Sequence, residues 1–197
     1  VTHSYGSEGV KTITIGGTNN TIKGWQFDNT GDKTLITGIS NWGTLNISTN
    51  DAFYGCSALN VTAGNAPTIS STDLSGTFYG CTALTSIGGD WDVSNVNNFT
   101  ETFRSCSNFN QDIGDWDTSK VTTTYRMFNA CSAFNQNLGA WDMSSNTSMA
   151  EMFSGCGEFN NNDSDTIKDW DVSDVATMIK MFFNCAKFNQ PLDDWDT

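Results

Sequence analysis

The cysteines of this chain recur at a fixed interval, and this interval constrains the fold more than any other feature of the sequence. Five of them follow one another in 25-residue steps and the sixth comes 29 residues later: Cys56, Cys81, Cys106, Cys131, Cys156 and Cys185. A phenylalanine stands three residues before each cysteine. A period of about 20 to 50 residues is typical of arrays in which each unit buries its apolar side against the next. We therefore expect a repeat protein.

A change of periodicity within each repeat predicts its secondary structure. Around the Trp-Asp pairs apolar and acidic residues alternate, as in the segment 90–93, which predicts a short strand. Before each cysteine the apolar residues are spaced as on one side of a helix, which predicts a short helix over about Val175 to Phe183 in the last full repeat. The expected fold is an α/β repeat: a leucine-rich-repeat-type solenoid of short parallel strands and short helices, one of each per coil of about 25 residues.

The residues that share a phase in the repeat predict the core. One tryptophan, one phenylalanine and one cysteine per repeat are expected to point inward: Trp91, Trp116, Trp141, Trp170, Trp195, Phe103, Phe128, Phe153, Phe182, Cys81, Cys106, Cys131, Cys156 and Cys185. A column of cysteines at one phase favours free, buried thiols that act as small apolar side chains. Disulfides between neighbouring coils are the alternative, and zinc binding has little support because no CxxC pair occurs and His3 is the only histidine.

Three segments differ in how well they keep the repeat. Residues 56–197 are regular, residues 19–55 are degenerate repeats expected to cap the N-terminal end, and residues 1–18 lie outside the pattern and predict a β-hairpin. Within the hairpin, the spacing of His3, Tyr5, Gly9, Ile13 and Ile15 resembles the closing strands of a PKD-like β-sandwich. That resemblance implies a remnant of an extracellular module.

The full repeat pattern resembles that of the BspA-like bacterial surface proteins. Its clearest copy combines the segment 170–173, which reads WDVS, with Met181, Phe182, Cys185 and the segment 188–190, which reads FNQ. The resemblance covers about residues 51–197. It implies a leucine-rich-repeat protein that is extracellular or on the cell surface and acts in adhesion, and it implies no catalytic residues.

Charge and composition exclude several classes of function. The chain carries 22 acidic against 9 basic residues, for a net charge of −13, which argues against binding to nucleic acid or to anionic membranes. No apolar run approaches the roughly 18 to 20 residues of a membrane span. The carboxylates recur in like environments, whereas acid–base catalysis needs unlike ones, so we expect no enzyme and no cofactor apart from calcium.

Two columns of polar residues each leave two interpretations open. The aspartate of each Trp-Asp pair could cap the turn that follows it, or it could take part in calcium binding together with its neighbours, as in Asp112, Asp115 and Asp117. An asparagine after a core phenylalanine recurs at Asn110, Asn135, Asn160 and Asn189. These amides either bond the backbone of adjacent repeats or contact carbohydrate.

The expected function is a non-catalytic recognition or adhesion module that binds a protein or glycan outside the cell. Partner contacts are expected where the repeat is interrupted, at the irregular coil 60–71 and at an insertion formed by Asn161, Asn162, Asp163, Ser164 and Asp165. Both interruptions could equally be neutral insertions. A structural stalk, or a subunit that stacks end to end, is the alternative function.

Overall fold

Regular secondary structure is sparse in this protein. The computed structural model describes residues 26–31 and 33–196, so the hairpin predicted for residues 1–18 and the first part of the predicted capping repeats lie outside the described residues. The described chain has three 3₁₀ helices, Lys33–Leu35, Asn161–Asp163 and Asp165–Asp169, and four strands, β1 Gly38–Ile39, β2 Asn46–Ile47, β3 Asn60–Val61 and β4 Thr68–Ile69. The remainder is turns, bends and coil.

The strands form two small parallel sheets near the N-terminal end. β1 pairs with β3, with Gly38 opposite Asn60, and β2 pairs with β4, with Asn46 opposite Thr68. The irregular coil 60–71 therefore supplies one strand to each sheet. Beyond it, neighbouring repeats are joined by single parallel bridges between equivalent residues: Asp73, Asn98, Thr123, Ser148 and Thr177.

The predicted α/β leucine-rich-repeat-type solenoid is wrong. The described residues contain no α-helix, and the only sheets among them have two strands of two residues each. The helix expected over Val175 to Phe183 is a run of turns that includes a left-handed residue, Lys180, with φ of 55°. No strand forms at the Trp-Asp pairs either, because these segments are turns and coil.

Hydrogen bonds between repeats explain why no helix forms. The N–H of Phe103 donates to the carbonyl oxygen of Met127 in the next repeat at 3.0 Å, whereas the N–H of the following residue, Arg104, donates back to Glu101 at 3.1 Å. An α-helix needs every N–H to donate to the residue four before it. Because alternate N–H groups bond to the neighbouring repeat, the segment becomes a series of tight turns. We call the resulting rows of bonds between repeats the backbone ladder.

Residues with a left-handed backbone conformation recur at two fixed positions of the repeat. One phase holds non-glycine residues with φ between 52° and 56°: Asp51, Glu101, Arg126, Glu151 and Lys180. The other lies just before each cysteine, where Gly80 has φ of 76° and Ala130 has φ of 62°. A left-handed conformation costs a non-glycine residue about 1–2 kcal/mol, so the hydrogen bonds between repeats must offset this strain.

The core is a set of stacked aromatic columns. Phe128 lies between Phe103 and Phe153, with ring centroids 5.7 and 5.6 Å away and interplanar angles of 4° and 5°. Most of the predicted core residues are buried, whereas four are only partly buried: Trp116, Phe182, Cys185 and Trp195. Stacked aromatic pairs contribute beyond the area that they bury, so the columns bind successive repeats together.

Trp42 compensates for the repeat that lacks a Trp-Asp pair. That repeat has Ala66 and Pro67 at the Trp-Asp phase, and the ring of Trp42 packs edge-on against Trp91 with centroids 5.5 Å apart. Both indole N–H groups donate to the carbonyl oxygen of Ile87. A tryptophan from the degenerate N-terminal segment thus extends the aromatic core.

Candidate interaction surface

The cysteine column is structural. All six cysteines are free, which confirms the free-thiol alternative over disulfides between repeats. From Cys81 onward each thiol donates to the carbonyl oxygen of a phenylalanine in the preceding repeat, at sulfur–oxygen distances of 2.8 to 3.2 Å. Burial raises the pKa of the cysteine thiols, to about 12 at Cys56 and about 11 at Cys185. Such thiols are poor nucleophiles at neutral pH.

The aspartates of the Trp-Asp pairs cap the turns that follow them. The carboxylate oxygen of Asp117 accepts hydrogen bonds from the backbone N–H and the hydroxyl of Ser119, at 3.1 and 2.7 Å. Equivalent pairs of bonds occur at Asp92, Asp142 and Asp171, which confirms the capping interpretation at these positions. The hydrogen bonds from the serines lower the pKa of Asp92, Asp117 and Asp171.

The structure does not assemble the predicted calcium site. Among the described residues, no three acidic, histidine or cysteine side chains lie close enough together to hold a metal ion. Asp112 accepts a hydrogen bond from the backbone N–H of Gly114 at 3.0 Å, and the carboxylate of Asp117 already accepts a hydrogen bond from the backbone N–H of Ser119. Asp112 and Asp115 do line a shallow cleft of about 180 Å³, together with Asn137. That cleft offers two carboxylates, whereas Ca²⁺ takes about 6–8 oxygen ligands.

The asparagine column bonds the backbone of adjacent repeats. The side-chain oxygen of Asn110 accepts from the N–H of Asn135, that of Asn135 accepts from Asn160, and that of Asn160 accepts from Asn189, each at 2.8 Å. This arrangement confirms the structural interpretation of these asparagines. The side-chain oxygens of Asn110, Asn135 and Asn160 are already used within the protein, which leaves less capacity for carbohydrate.

Part of the insertion at 161–165 has a structural role. Asn161 is fully buried, and its side-chain oxygen accepts from the N–H of Leu138 at 2.8 Å while its amide donates to Ser164 at 2.7 Å. Ser164 is half-buried, so only Asn162, Asp163 and Asp165 of the predicted partner contacts are exposed. The spacing of the repeat reveals that residues are inserted here, but it does not show which of them point inward.

A strip of tyrosines and arginines follows the outer side of the backbone ladder, and sequence analysis missed it. The rings of Tyr54 and Tyr79 stack at 4.6 Å, and the guanidinium of Arg104 lies 4.8 Å from the centre of the Tyr79 ring. Farther along, the guanidinium of Arg126 lies at the same distance over Tyr125. All five side chains are half-buried. We call these residues the tyrosine–arginine strip.

Two glutamates hold the arginines of the strip in place. Arg104 bonds to Glu101 at 2.6 Å, and Arg126 bonds to Glu151 at 2.9 Å and lies 3.6 Å from Glu101. The bond between Arg126 and Glu151 raises the pKa of the arginine and lowers that of the glutamate. A signal for the strip was present in the sequence: Tyr54, Tyr79 and Arg104 all stand two residues before a cysteine.

Comparison with models of protein families shows which family the chain belongs to. The model of a family described as "Mycoplasma protein of unknown function, DUF285" matches residues 21–104, 47–166 and 147–197. The chain belongs to the DUF285 family. Overlapping DUF285 matches along one chain agree with a repeat protein. Comparison with curated proteins found no match, and neither did comparison with solved structures.

None of the helical segments among the described residues has the length and apolar character that a membrane crossing requires.

Proposed function

We propose that this DUF285 protein is a non-catalytic recognition module, located outside the cell or on its surface, that binds a protein through the tyrosine–arginine strip. The observation that carries the proposal is the strip itself: aromatic and guanidinium groups stand half-exposed on a rigid backbone. Tyrosine and arginine are enriched among the residues that dominate binding energy in protein interfaces. The resemblance to BspA-like surface proteins supports the location and the adhesion class.

The strip is preorganised. The N–H of Gly55 donates to the carbonyl oxygen of Tyr79 at 2.7 Å, and the N–H of Gly80 donates to that of Arg104 at 2.8 Å. These bonds fix the spacing of the side chains between repeats, and stacking and ion pairs restrict their rotation. A surface whose side chains are already ordered loses less conformational entropy on binding.

The packing of the rings favours a protein partner over a glycan. Sugars bind aromatic residues through an open ring face. Tyr54 and Tyr79 cover each other, Arg104 covers Tyr79, and Arg126 covers Tyr125. Tyr79 is thus covered on two sides and Tyr54 and Tyr125 on one side each, which reduces the open ring face available to a sugar. The ring edges, phenolic hydroxyls and charged groups of the strip suit a polar protein surface.

The remaining polar groups support a non-catalytic role. The thiols are buried with raised pKa values, the turn aspartates accept hydrogen bonds from serines, and the asparagine column bonds the backbone. A catalytic nucleophile or base instead needs an accessible group that is activated by a neighbour.

An array experiment tests the proposal. The 197-residue chain would be probed against arrays of purified extracellular proteins and of glycans, alongside two double variants. We expect protein signals that the Tyr79→Ala/Arg104→Ala variant loses and that the matched Asn162→Ala/Asp163→Ala variant of the insertion keeps. Signals confined to the glycan array would favour the glycan alternative. Protein signals lost only in the insertion variant would show that residues 161–165, and not the strip, form the contact surface.

A further inference from the structure

Both arginines of the chain stand in the tyrosine–arginine strip. The sequence contains two arginines, Arg104 and Arg126, and its remaining cationic side chains at neutral pH are lysines. Arginine carries its N–H donors in a flat fork that matches the two oxygens of a carboxylate, whereas lysine carries a compact charge without this geometry. The strip is therefore the place where this protein uses the side chain best suited to bind a carboxylate.

The guanidinium of Arg126 is enclosed by carboxylates of its own chain. Its Nε and Nη2 atoms donate to the two carboxylate oxygens of Glu151, at 3.1 and 2.9 Å, and its Nη1 atom lies 3.6 Å from Glu101. Two parallel bonds to one carboxylate are the strong form of this pairing. All three nitrogens of Arg126 thus face acidic groups within the protein.

The guanidinium of Arg104 is only partly paired. Its Nη1 atom donates to Glu101 at 2.6 Å, and Glu101 is shared, because the same oxygen faces Arg126. The Nε atom of Arg104 is buried without a hydrogen-bond partner. Its Nη2 atom is not buried and donates no hydrogen bond to any residue that the structure describes. Arg104 therefore keeps donors that an acceptor from outside can reach.

The repeat explains why Arg104 lacks a second carboxylate. Arg126 bonds to Glu151, which holds the same position one repeat later, but the residue one repeat after Arg104 is Asn129. The side-chain amide of Asn129 donates to Glu151 at 3.4 Å. Among the described residues, the ion pair of Arg104 is with Glu101 alone.

Arg104 is held in a fixed orientation before any partner binds. Its guanidinium lies 4.8 Å from the centre of the Tyr79 ring, and the bond to Glu101 holds it from the side. A group that is already ordered loses less conformational entropy on binding. Arginine is also enriched among the residues that dominate binding energy in protein interfaces. These features make Arg104 the strongest candidate for a central contact of the strip.

We propose that the partner of the strip presents a carboxylate, from an aspartate or glutamate side chain, that binds Arg104. The contact rests on the proposed function, since it names the chemistry of the protein that the strip binds. The incoming carboxylate accepts from Nη2 and completes the pairing that Glu101 provides only in part. Along the strip, charges alternate from Glu151 through Arg126 and Glu101 to Arg104, and the second protein supplies the next acidic group.

The net charge of the chain limits what surrounds that carboxylate. At −13 the protein repels an acidic protein as a whole. Salt at 0.1 M screens this repulsion beyond about 10 Å, whereas a direct contact between one carboxylate and Arg104 acts at shorter range. The expected partner therefore presents a single acidic side chain on a surface that is otherwise neutral or basic.

Selection from a library of random peptides displayed on phage tests the contact with a defined probe. The 197-residue chain is the target, and peptides that also bind the Arg104→Gln variant are removed. We expect the remaining peptides to share an aspartate or glutamate. Replacing that residue with its amide should weaken binding of the synthetic peptide by about tenfold or more. Lys120→Gln, which removes an exposed cation elsewhere on the array, should bind the parent peptide like the wild type.

Combining the two changes is the sharper measurement. Because Arg104→Gln and the amide peptide remove the same contact, the combined loss should be no greater than either loss alone. Arg104→Lys keeps a cation beside Glu101, but it should still bind the peptide more weakly than the wild type, since the fork is lost. Thermal unfolding verifies that each variant folds.

The outcomes separate this contact from the proposed function. Peptides that require Arg104 but share no acidic residue would overturn the carboxylate and keep the strip as the binding surface. Losses that add fully in the combined measurement would overturn direct contact with Arg104. A selection that yields no peptide requiring Arg104 would also overturn it. The proposed function itself fails only if the Tyr79→Ala/Arg104→Ala variant keeps every protein signal on the arrays.

Discussion

The Sγ atom of Cys131 lies 2.8 Å from the carbonyl oxygen of Phe103 in the preceding repeat and donates a hydrogen bond to it. Both residues are fully buried. Burial holds the pKa of the Cys131 thiol well above its ordinary value, so the thiolate does not form at neutral pH. The cysteine column is therefore an internal connection between repeats rather than a reactive group.

Thiol labelling should follow burial. We expect little reaction in the native protein at neutral pH and six reactive thiols after unfolding without reductant, as counted by a colorimetric thiol reagent. Cys185 is only partly buried, with a pKa raised to about 11, so it should be labelled first, and faster as the pH rises. Peptide mapping of the labelled protein, with Cys185→Ser as the control, identifies the site. Fewer than six thiols after unfolding would show disulfides.

Removing one ring from the central column should destabilise the whole array. Phe128→Ala deletes a side chain that stacks on Phe103, Phe134 and Phe153, and we expect a loss of about 3–5 kcal/mol in the free energy of unfolding. Phe183→Ala, the same change at an exposed ring, should cost no more than about 0.5 kcal/mol. Denaturant unfolding measures both, and equal effects would contradict the proposed core.

Removing one amide from the asparagine column should break hydrogen bonds to the backbone of the next repeat. Asn135→Ala leaves two N–H groups, those of Asn160 and Asn162, without their acceptor, and we expect a cost of about 1–2 kcal/mol. Asn95→Ala is the matched control, because its side-chain oxygen accepts only from the exposed Lys120. A comparable loss in both variants would mean that the column adds no particular stability.

Acid should weaken the capped turns. The pKa of Asp117 is lower in the folded than in the unfolded protein, so its stabilisation is complete above the ordinary carboxyl range and is lost as the pH falls through the folded-state pKa. Ser119→Ala removes the main cause of that shift and should make the melting temperature less dependent on pH below about 4. Ser132→Ala, which loses a hydroxyl bonded only to a carbonyl, should keep the wild-type dependence.

A chelator should have no effect on stability. Because Asp112, Asp115 and Asp117 do not form a group that could hold a metal ion, adding EDTA should leave the melting temperature unchanged. Adding millimolar calcium should leave it unchanged as well. A rise with calcium that EDTA reverses would show a site that these residues do not reveal.

Helical spacing in the sequence did not lead to a helix, and the reason is general. The residues expected on one side of a helix, such as Met181 and Phe182, do pack against the core, because tight turns can also place residues with this spacing on one side. The pattern of apolar residues reports which side chains point inward. It does not report whether a backbone N–H donates to its own repeat or to the next one.

The sequence by itself determined the period of the array and the phase of the phenylalanines and cysteines, because these depend on spacing along the chain. Only the tertiary structure decided the alternating direction of the N–H groups, the burial of Asn161, the use of Trp42 in the core and the assembly of the tyrosine–arginine strip. Each of these depends on partners about one repeat or more away. Such partners are set by the packing of neighbouring repeats and not by local residue preference.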